Sequence, residues 1–330
     1  MELPKEFSKV HVQLLVLFST LLLFLIANAA FGGTSLGFIP PLIAVLVLIE
    51  IFAFVGMEVK EGASKHGWKH EIVDTIIALA VAIAVWYGAS FILNTSSPVS
   101  GVVSCSMLPN LYRGDFIIVQ GAQVEAYEIN MTEQELESLT RRAAVYYNGR
   151  NASVEGSVFS YCIANPSAEV CEALAENPEG VTEKKGAFTY NYERCTVKYQ
   201  DGKQGSIPCL KSVTFKGREY LTNFSNDIII YAPPEGYLYS MIGDIVHRAM
   251  FKINAGGETY YLTRGDNNPV LDLQVYDYGR GLTNPPVPER FVRGKVIARI
   301  PILGYFKLFL HGYFQEDSQC RTQLEYTHIE

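Results

Sequence analysis

Residues 104–117 read Ser-Cys-Ser-Met-Leu-Pro-Asn-Leu-Tyr-Arg-Gly-Asp-Phe-Ile and lie shortly after the last long apolar run of the chain. Gly114-Asp115 predicts a turn, and the β-branched and aromatic residues from Phe116 to Val119 predict a strand. The chain before this segment is mostly apolar, whereas the chain after it has the composition of an ordinary soluble domain. The segment therefore marks the boundary between two regions of different character.

Upstream of the segment, three apolar stretches are each long enough to span a bilayer, which requires ~20 apolar residues. They run from about Val10 to Phe31, from Leu36 to Met57 and from Ile72 to Leu93. The first is too long for the apolar core of a cleaved signal peptide, and a second stretch follows almost at once. We therefore expect three membrane-spanning helices.

The charges in the links between these stretches predict their orientation. Lys5 and Lys9 precede the first stretch, and Lys60, Lys65 and Lys69 lie between the second and the third. Positive residues stay on the cytoplasmic side of a membrane. The chain is thus predicted to be a multi-pass protein of the cell membrane, with a cytoplasmic N-terminus and an extracytoplasmic domain beyond the third stretch.

Beyond the third stretch, short strand patterns alternate with turns rich in glycine and proline. After Phe116 to Val119 these patterns are Asp227–Tyr231, Gly243–Phe251, Glu258–Thr263 and Phe291–Ile300. Such an arrangement is typical of an all-β domain. The segment 302–314 is apolar and aromatic but too short to span a membrane, so we expect either an interfacial segment or a core strand there.

Residues 121–225 differ from the strands on either side and are predicted to form an inserted subdomain of mixed α and β structure. Residues 131–145 have helical spacing, with Thr132 as a candidate N-cap and Glu135 as its capping-box partner. The predicted organisation is a three-helix transmembrane region at 1–93, a split β catalytic domain at 94–120 and 226–304, the insertion at 121–225, and an interfacial C-terminal segment and tail at 305–330.

Four cysteines of the insertion are candidates for disulfide bonds. Pairing by proximity joins Cys162 to Cys171 and Cys195 to Cys209, although four cysteines allow three connectivities. The second pair would close a hairpin that turns at Asp201-Gly202. A zinc site is the competing interpretation. The spacings lack a short Cys-x-x-Cys pair and the predicted compartment is external, so disulfides are favoured.

The Ser-x-Ser-Met-x-Pro run at residues 104–109 resembles the nucleophile segment of the type I signal peptidases, which implies that Ser106 is the nucleophile. A serine nucleophile needs a base within hydrogen-bond reach. Three of the six histidines lie in the membrane or on its inner side by the predicted topology. Of the other three, His311 lies in the apolar segment near the C-terminus and His328 is close to the end of the chain. His247 alone lies between strand-like runs, so we predict that it is the base.

A histidine base usually donates its second ring proton to a carboxylate. Asp266 and Asp272 both follow one predicted strand; we favour Asp272 as the third member of the triad and Asp266 as a supporting catalytic residue. The backbone N–H of Ser106 and the hydroxyl of Ser104 are the expected oxyanion donors. Cys105 has no evident partner and is interpreted as a small spacer; a Cys-His protease is disfavoured by the Met-x-Pro sequence that follows the serine.

An ordered set of motifs then resembles the archaeal and endoplasmic-reticulum branch of the type I signal peptidases. The histidine at position 247, where bacterial relatives carry lysine, points to that branch. The resemblance covers about residues 101–119 and 227–304. The motifs are Ser104-Cys-Ser106-Met-Leu-Pro109, Gly114-Asp115, Asp227-Ile-Ile-Ile-Tyr231, Ile245-Val-His247-Arg248, Thr263-Arg-Gly265-Asp266-Asn267-Asn268, Gly294-Lys-Val and Ile300-Pro-Ile-Leu-Gly304.

The resemblance implies a β-fold protease that binds its substrate as an extended strand and cuts after small residues next to the apolar core of a signal peptide. Three features depart from the family pattern. Cys105 stands where relatives usually have glycine, three predicted spans are more than is usual, and the insertion at 121–225 is large. None of these departures removes a predicted catalytic group.

The predicted fold is three N-terminal transmembrane helices followed by a signal-peptidase-like β domain with a disulfide-bearing α+β insertion. The predicted function is a membrane-bound serine endopeptidase that removes signal peptides from preproteins and needs neither cofactor nor metal. Expected partners are preproteins, the bilayer and components of the secretion machinery, whereas the net charge of −7 suggests no nucleic acid. The alternatives are a membrane-tethered binding module that uses the insertion, and a self-cleaving repressor-type protease, which is disfavoured because that class is soluble and uses lysine.

Overall fold

The computed structural model describes residues 5–31, 39–140, 142–301, 304–310 and 318–326. The chain divides into two compact units. One unit comprises Met1–Ile92 and Tyr305–Glu316, and the other comprises Leu93–Gly304 and Asp317–Glu330.

Three long helices make up most of the first unit: α1 (Lys5–Phe31), α2 (Ile39–His66) and α3 (Trp68–Ile92). Helices α1 and α2 contact each other through a small apolar cluster around Phe24 and Val47. Among the described residues, α3 is the one helix long and apolar enough by length and composition to cross a membrane. Three helices therefore occur where three spans were predicted, and the spanning role of α1 and α2 stays a prediction.

The second unit is mostly β, as predicted, and contains three disulfide bonds. Three short helices, α4 (Glu133–Ser138), α5 (Val158–Ala164) and α6 (Glu169–Glu176), lie within the insertion. In chain order the strands are β1 (Val99–Gly101), β2 (Phe116–Gln120), β3 (Tyr127–Asn130), β4 (Ala143–Tyr147), β5 (Arg150–Val154), β6 (Thr182–Lys185), β7 (Phe188–Tyr199), β8 (Gln204–Phe215), β9 (Arg218–Leu221), β10 (Ile228–Tyr231), β11 (Ile245–Ala255), β12 (Glu258–Arg264), β13 (Tyr276–Asp277), β14 (Leu282–Thr283), β15 (Val287–Pro288), β16 (Val292–Ile300) and β17 (Thr322–Glu325).

The main sheet has eight strands in the order β1-β2-β16-β10-β11-β12-β15, with β3 added beside β11. All of its pairs are antiparallel except β3 with β11. The long strand β11 is central, because it pairs with β10 and β3 along one edge and with β12 along the other. β2 alternates as expected for a strand on a core, with Ile117 and Val119 buried.

The second sheet has the order β5-β4-β6-β7-β8-β9, with β17 paired to β7. The hairpin predicted at Asp201-Gly202 is confirmed by the pairing of β7 with β8. The capping box of Thr132 and Glu135 is confirmed at the start of α4. The helix predicted as far as Val145 is wrong beyond Ser138, because residues 143–147 pair with β5 and β6 and alternate between buried and accessible positions.

The main sheet and the second sheet share a large hydrophobic core cluster. Phe188 and Tyr220 of the second sheet contact Phe251 of the main sheet, with ring centroids 5.9 and 5.8 Å apart. The same cluster includes Leu262 of β12 and Leu271 of the following turn. The insertion therefore does not form a core of its own. Its boundaries stay a prediction, although β3 lies within the predicted limits and pairs with the main sheet.

The segment 302–314, for which an interfacial segment or a core strand was predicted, is described only in part, and its interfacial location stays a prediction. Tyr305–Leu310 forms a short helix, α7, so the core-strand alternative is wrong for these residues. The remaining residues predicted to be interfacial, 302–303 and 311–314, lie outside the described residues. Further on, β17 extends the second sheet, which the sequence did not indicate.

Candidate active site

The segment that carries Ser106 is a loop between β1 and β2 that is closed by backbone hydrogen bonds. The Val102 N–H donates to the Asp115 carbonyl and the Gly114 N–H donates to the Val102 carbonyl, each at 2.9 Å. Met107 and Leu111 are buried in the cluster that also holds Ile117 of β2. The apolar residues after the serine thus act as anchors that fix its loop on the sheet.

The structure brings Ser106, His247 and Asp272 into one hydrogen-bonded chain. The Nε2 atom of His247 lies 3.0 Å from Ser106 Oγ, and its Nδ1 atom lies 2.7 Å from Asp272 Oδ2. All three residues are buried, with 8%, 4% and 3% of their surfaces exposed. His247 lies on β11 opposite Ile229 of β10, in the middle of the main sheet. A rigid strand therefore sets the position of the imidazole.

Asp272 is the first residue of a 3-10 turn, Asp272–Gln274, and one of its oxygens accepts several hydrogen bonds. Besides the imidazole, Oδ2 accepts from Thr263 Oγ1 at 2.6 Å and from the Tyr231 hydroxyl at 3.3 Å. Burial, together with the charge of Asp272, raises the pKa of the Tyr231 phenol well above its ordinary value. Tyr231 is therefore a neutral donor that holds the carboxylate in place.

Asp266 lies against an arginine rather than against the histidine. Its two oxygens accept from Nε and Nη2 of Arg248, both at 2.7 Å, and Oδ2 also accepts from Asn110 Nδ2 at 2.7 Å. Both members of the ion pair are buried. Because neighbouring side chains on a strand point to opposite faces, His247 contacts Asp272 whereas Arg248 contacts Asp266.

The two expected oxyanion donors lie beside the nucleophile. Ser104 Oγ is 3.2 Å from Ser106 Oγ. Among the residues that the structure describes, the Ser106 N–H donates to no backbone carbonyl. Ser104 is exposed whereas Ser106 is buried.

The interpretation of Cys105 as a small spacer without a partner is wrong. It forms a disulfide bond with Cys320, 215 residues further along the chain. The other pairs are Cys162 with Cys171 and Cys195 with Cys209, so the four sulfurs considered for zinc are all used in disulfide bonds. The even number of cysteines indicates that a third bond can form but not its partners, because six cysteines allow fifteen connectivities.

Several residues at the site were not predicted from the sequence as site residues. Thr263 and Tyr231 contact the carboxylate of Asp272, and the backbone N–H of Asn267 donates to the Ser106 carbonyl at 2.7 Å. All three lie inside motifs that carry the family resemblance. The motifs thus indicated important segments but not the contacts that these side chains make.

Gly265 explains why one of these motifs contains a glycine. A Cβ atom at this position would lie 2.5 Å from the carbonyl oxygen of Ser106 and 2.8 Å from Asn268 Nδ2. Real Cβ atoms do not approach backbone oxygens so closely. The turn after β12 and the nucleophile loop can therefore touch only because residue 265 has no side chain.

Comparison with curated proteins finds relatives that carry a common name. The chain is 36% identical over 69 residues to the signal peptidase complex catalytic subunit SEC11 of Colletotrichum graminicola, which is 21% of this chain and 38% of that protein. It is 36% identical over 66 residues to the protein of the same name from Verticillium alfalfae and 35% identical over 66 residues to that from Sclerotinia sclerotiorum, in each case 20% of this chain and 36% of the relative. No protein family matches in a scan of the chain.

The matched segments thus span little more than a third of the length of these relatives. The names nevertheless agree with the resemblance inferred from the motifs around Ser106 and His247. The similarity of this chain to the signal peptidases is therefore confirmed, and the relatives that carry it are catalytic subunits of the SEC11 type.

Proposed function

We propose that the protein is a membrane-bound serine endopeptidase that removes signal peptides from preproteins. The observation that carries this proposal is the hydrogen-bonded chain from Ser106 through His247 to Asp272. The names of the relatives support the substrate class, since they are signal peptidase catalytic subunits. Helix α3, which is long and apolar enough to span a bilayer, supports membrane attachment.

In the proposed reaction, Ser106 attacks the carbonyl carbon of the peptide bond at the cleavage site. His247 Nε2 accepts the hydroxyl proton, and the negative charge of Asp272 stabilises the imidazolium that forms. The proton then passes to the leaving amine, which departs and leaves an acyl-enzyme on Ser106. Water, deprotonated by the same imidazole, releases the second product and restores the serine.

The oxyanion of the tetrahedral intermediate needs donors that are in position before the reaction. We assign this role to the Ser106 N–H and the Ser104 hydroxyl, which lie beside the attacking oxygen. Tyr231 and Thr263 act behind the triad by holding Asp272 Oδ2, and so fix the imidazole tautomer with Nδ1 protonated. Asp266 contributes through Arg248 to the shape of the turn and has no direct part in proton transfer.

The proposed partners are preproteins with signal peptides, the lipid bilayer and, as the relatives' names suggest, further subunits of a signal peptidase complex. Signal peptides present their cleavage site next to an apolar segment. We infer that the catalytic unit is extracytoplasmic, from the lysines that flank the expected spans.

The test uses the full chain in detergent and a preprotein whose processing is followed by gel shift and mass spectrometry. Ser106→Ala and His247→Ala should abolish cleavage, whereas Ser206→Ala, an exposed serine on β8, should cleave at the wild-type rate. Cleavage should also weaken on acidification, because a protonated imidazole cannot accept the serine proton. Undiminished processing by Ser106→Ala would refute the proposed role of Ser106 as the nucleophile.

A further inference from the structure

A disulfide bond joins the residue next to the nucleophile to residues 318–326, which are called the C-terminal segment from here on. Cys105 and Cys320 have Cα atoms 4.9 Å apart, and both are buried together with Leu108. The covalent link thus reaches the peptide of Ser106 from a region that comes after every motif of the site. The resemblance predicts glycine at position 105, so this attachment is a feature of the present chain.

Asn267 makes a second tie between the nucleophile loop and the same segment. Its Nδ2 atom donates to the Cys105 carbonyl at 3.2 Å and to the Thr322 carbonyl at 2.9 Å. Its Oδ1 atom accepts from the Leu324 N–H at 2.8 Å, and its own N–H donates to the Ser106 carbonyl at 2.7 Å. A carboxamide can do this because it carries donors and an acceptor on one short side chain.

The C-terminal segment is itself held firmly in the second unit. β17 pairs in antiparallel fashion with β7, and the Tyr326 hydroxyl donates to the Asn268 carbonyl at 2.7 Å. The fully buried guanidinium of Arg264 lies 4.6 Å from the centroid of the Tyr326 ring. The segment can therefore restrain the position of the nucleophile loop, to which it is bonded.

We propose that the Cys105–Cys320 disulfide and Asn267 are positioning groups for Ser106. They hold the peptide of Ser106 through Cys105 and through the Ser106 carbonyl, so that Oγ stays 3.0 Å from His247 Nε2. Without them the loop keeps its apolar anchors but loses the constraint on the serine. The inference rests on the proposed function, since positioning matters only if Ser106 is the nucleophile.

The main test compares two double variants of the full chain in detergent. Cys105→Ser with Cys320→Ser removes the proposed constraint, and Cys162→Ser with Cys171→Ser removes a disulfide of the insertion as the matched control. The first should lower kcat by about 10- to 100-fold with KM within about twofold, because a displacement near 1 Å is enough for such a loss. The control should keep the wild-type kcat. Wild-type kcat in a folded Cys105/Cys320 variant would overturn the proposal.

Asn267→Asp, with all disulfides intact, tests the proposal if the cysteine variant does not fold. Aspartate keeps an acceptor for the Leu324 N–H but loses both donors, so kcat should again fall at nearly constant KM. Gln319→Ala serves as its control, because this change removes hydrogen bonds to the Asn267 carbonyl and to Asn268 Oδ1 but leaves the Asn267 side chain in place. Equal kcat for Asn267→Asp and the wild type would refute the role of Asn267.

Amide hydrogen exchange of residues 104–108 separates this inference from the proposed function. Faster exchange there in the Cys105/Cys320 variant, but not in the Cys162/Cys171 variant, supports positioning even if no preprotein is cleaved. In that case only the proposed function fails. Unchanged exchange in both variants would overturn the positioning role, whatever the activity.

Discussion

Two turns follow strand β12, and they treat their aspartates in opposite ways. The first turn carries Asp266, which forms a buried ion pair with Arg248. The second carries Asp272, which accepts from His247, and the two aspartates are only six residues apart. The same side chain thus has a structural environment in one turn and an environment suited to catalysis in the other. A carboxylate's partner, rather than its place in a motif, decides what it can do.

The two turns are also held by different parts of the chain. The C-terminal segment holds the first turn through Asn267 and Asn268. The insertion holds the second, because the hydroxyls of Ser157 and Ser160 donate to the Gln274 carbonyl at 2.6 and 3.0 Å. Two regions outside the motifs that carry the resemblance therefore each support one side of the candidate site.

A buried polar chain extends the second support into the insertion. Gln274 Nε2 donates to the Tyr192 hydroxyl at 2.9 Å, and that hydroxyl donates to Glu183 Oε2 at 2.5 Å. Burial raises the pKa of the Glu183 carboxyl, and burial also lowers the pKa of the neighbouring Lys185. Together with the shared core, these contacts mean that deleting the insertion would remove part of the wall around Asp272.

The largest expected effect is that of Asp272→Asn on turnover. An amide cannot stabilise the imidazolium, and it no longer enforces the tautomer with Nδ1 protonated, so kcat should fall by roughly 10³- to 10⁴-fold. Steady-state kinetics on a preprotein substrate provide the measurement. A loss of less than tenfold would mean that Asp272 is not the orienting acid.

Asp266→Asn should instead act mainly on stability. The change leaves the charge of buried Arg248 without its carboxylate, which costs about 3 kcal/mol or more. The free energy of unfolding should fall by this amount, and Tm by roughly 6–12 °C for a unit of this size. Thermal unfolding in detergent checks the shift, while kcat of the folded protein should stay far above that of Asp272→Asn. A large fall in kcat at an unchanged Tm would reverse the roles of the two aspartates.

The smallest effect expected is a change in how stability depends on pH in Glu183→Gln. The raised pKa means that the folded state favours protonated Glu183. The contribution of this group to the free energy of unfolding of the wild type is therefore fully present below the ordinary carboxyl pKa. It is lost as the pH rises through the raised value, by about 1.4 kcal/mol for each unit of pKa difference. The free energy of unfolding of Glu183→Gln should therefore rise relative to that of the wild type as the pH increases through this range. Parallel curves for both proteins would contradict this account.

Much of the fold and of the candidate site could be predicted from patterns that are local in the sequence. The hairpin at Asp201-Gly202 and the capping box of Thr132 depend on contacts between residues a few positions apart, and both are confirmed. The helix predicted across residues 131–145 is wrong in its second half, because residues 143–147 pair as a strand with β5 and β6. Helical spacing in the sequence does not reveal such pairing with distant strands. Local preference is a weak guide where distant strands compete for the same residues.

The sequence by itself determined the candidate nucleophile Ser106 and the candidate base His247, from residue chemistry and the order of motifs. Only the tertiary structure decided which aspartate faces the imidazole and which partner Cys105 has. The disulfide closes a separation of 215 residues, and no spacing rule predicts such a contact. The choice of aspartate depends on the alternation of β11 and on two turns packed against it, which are set by the whole core rather than by neighbouring residues.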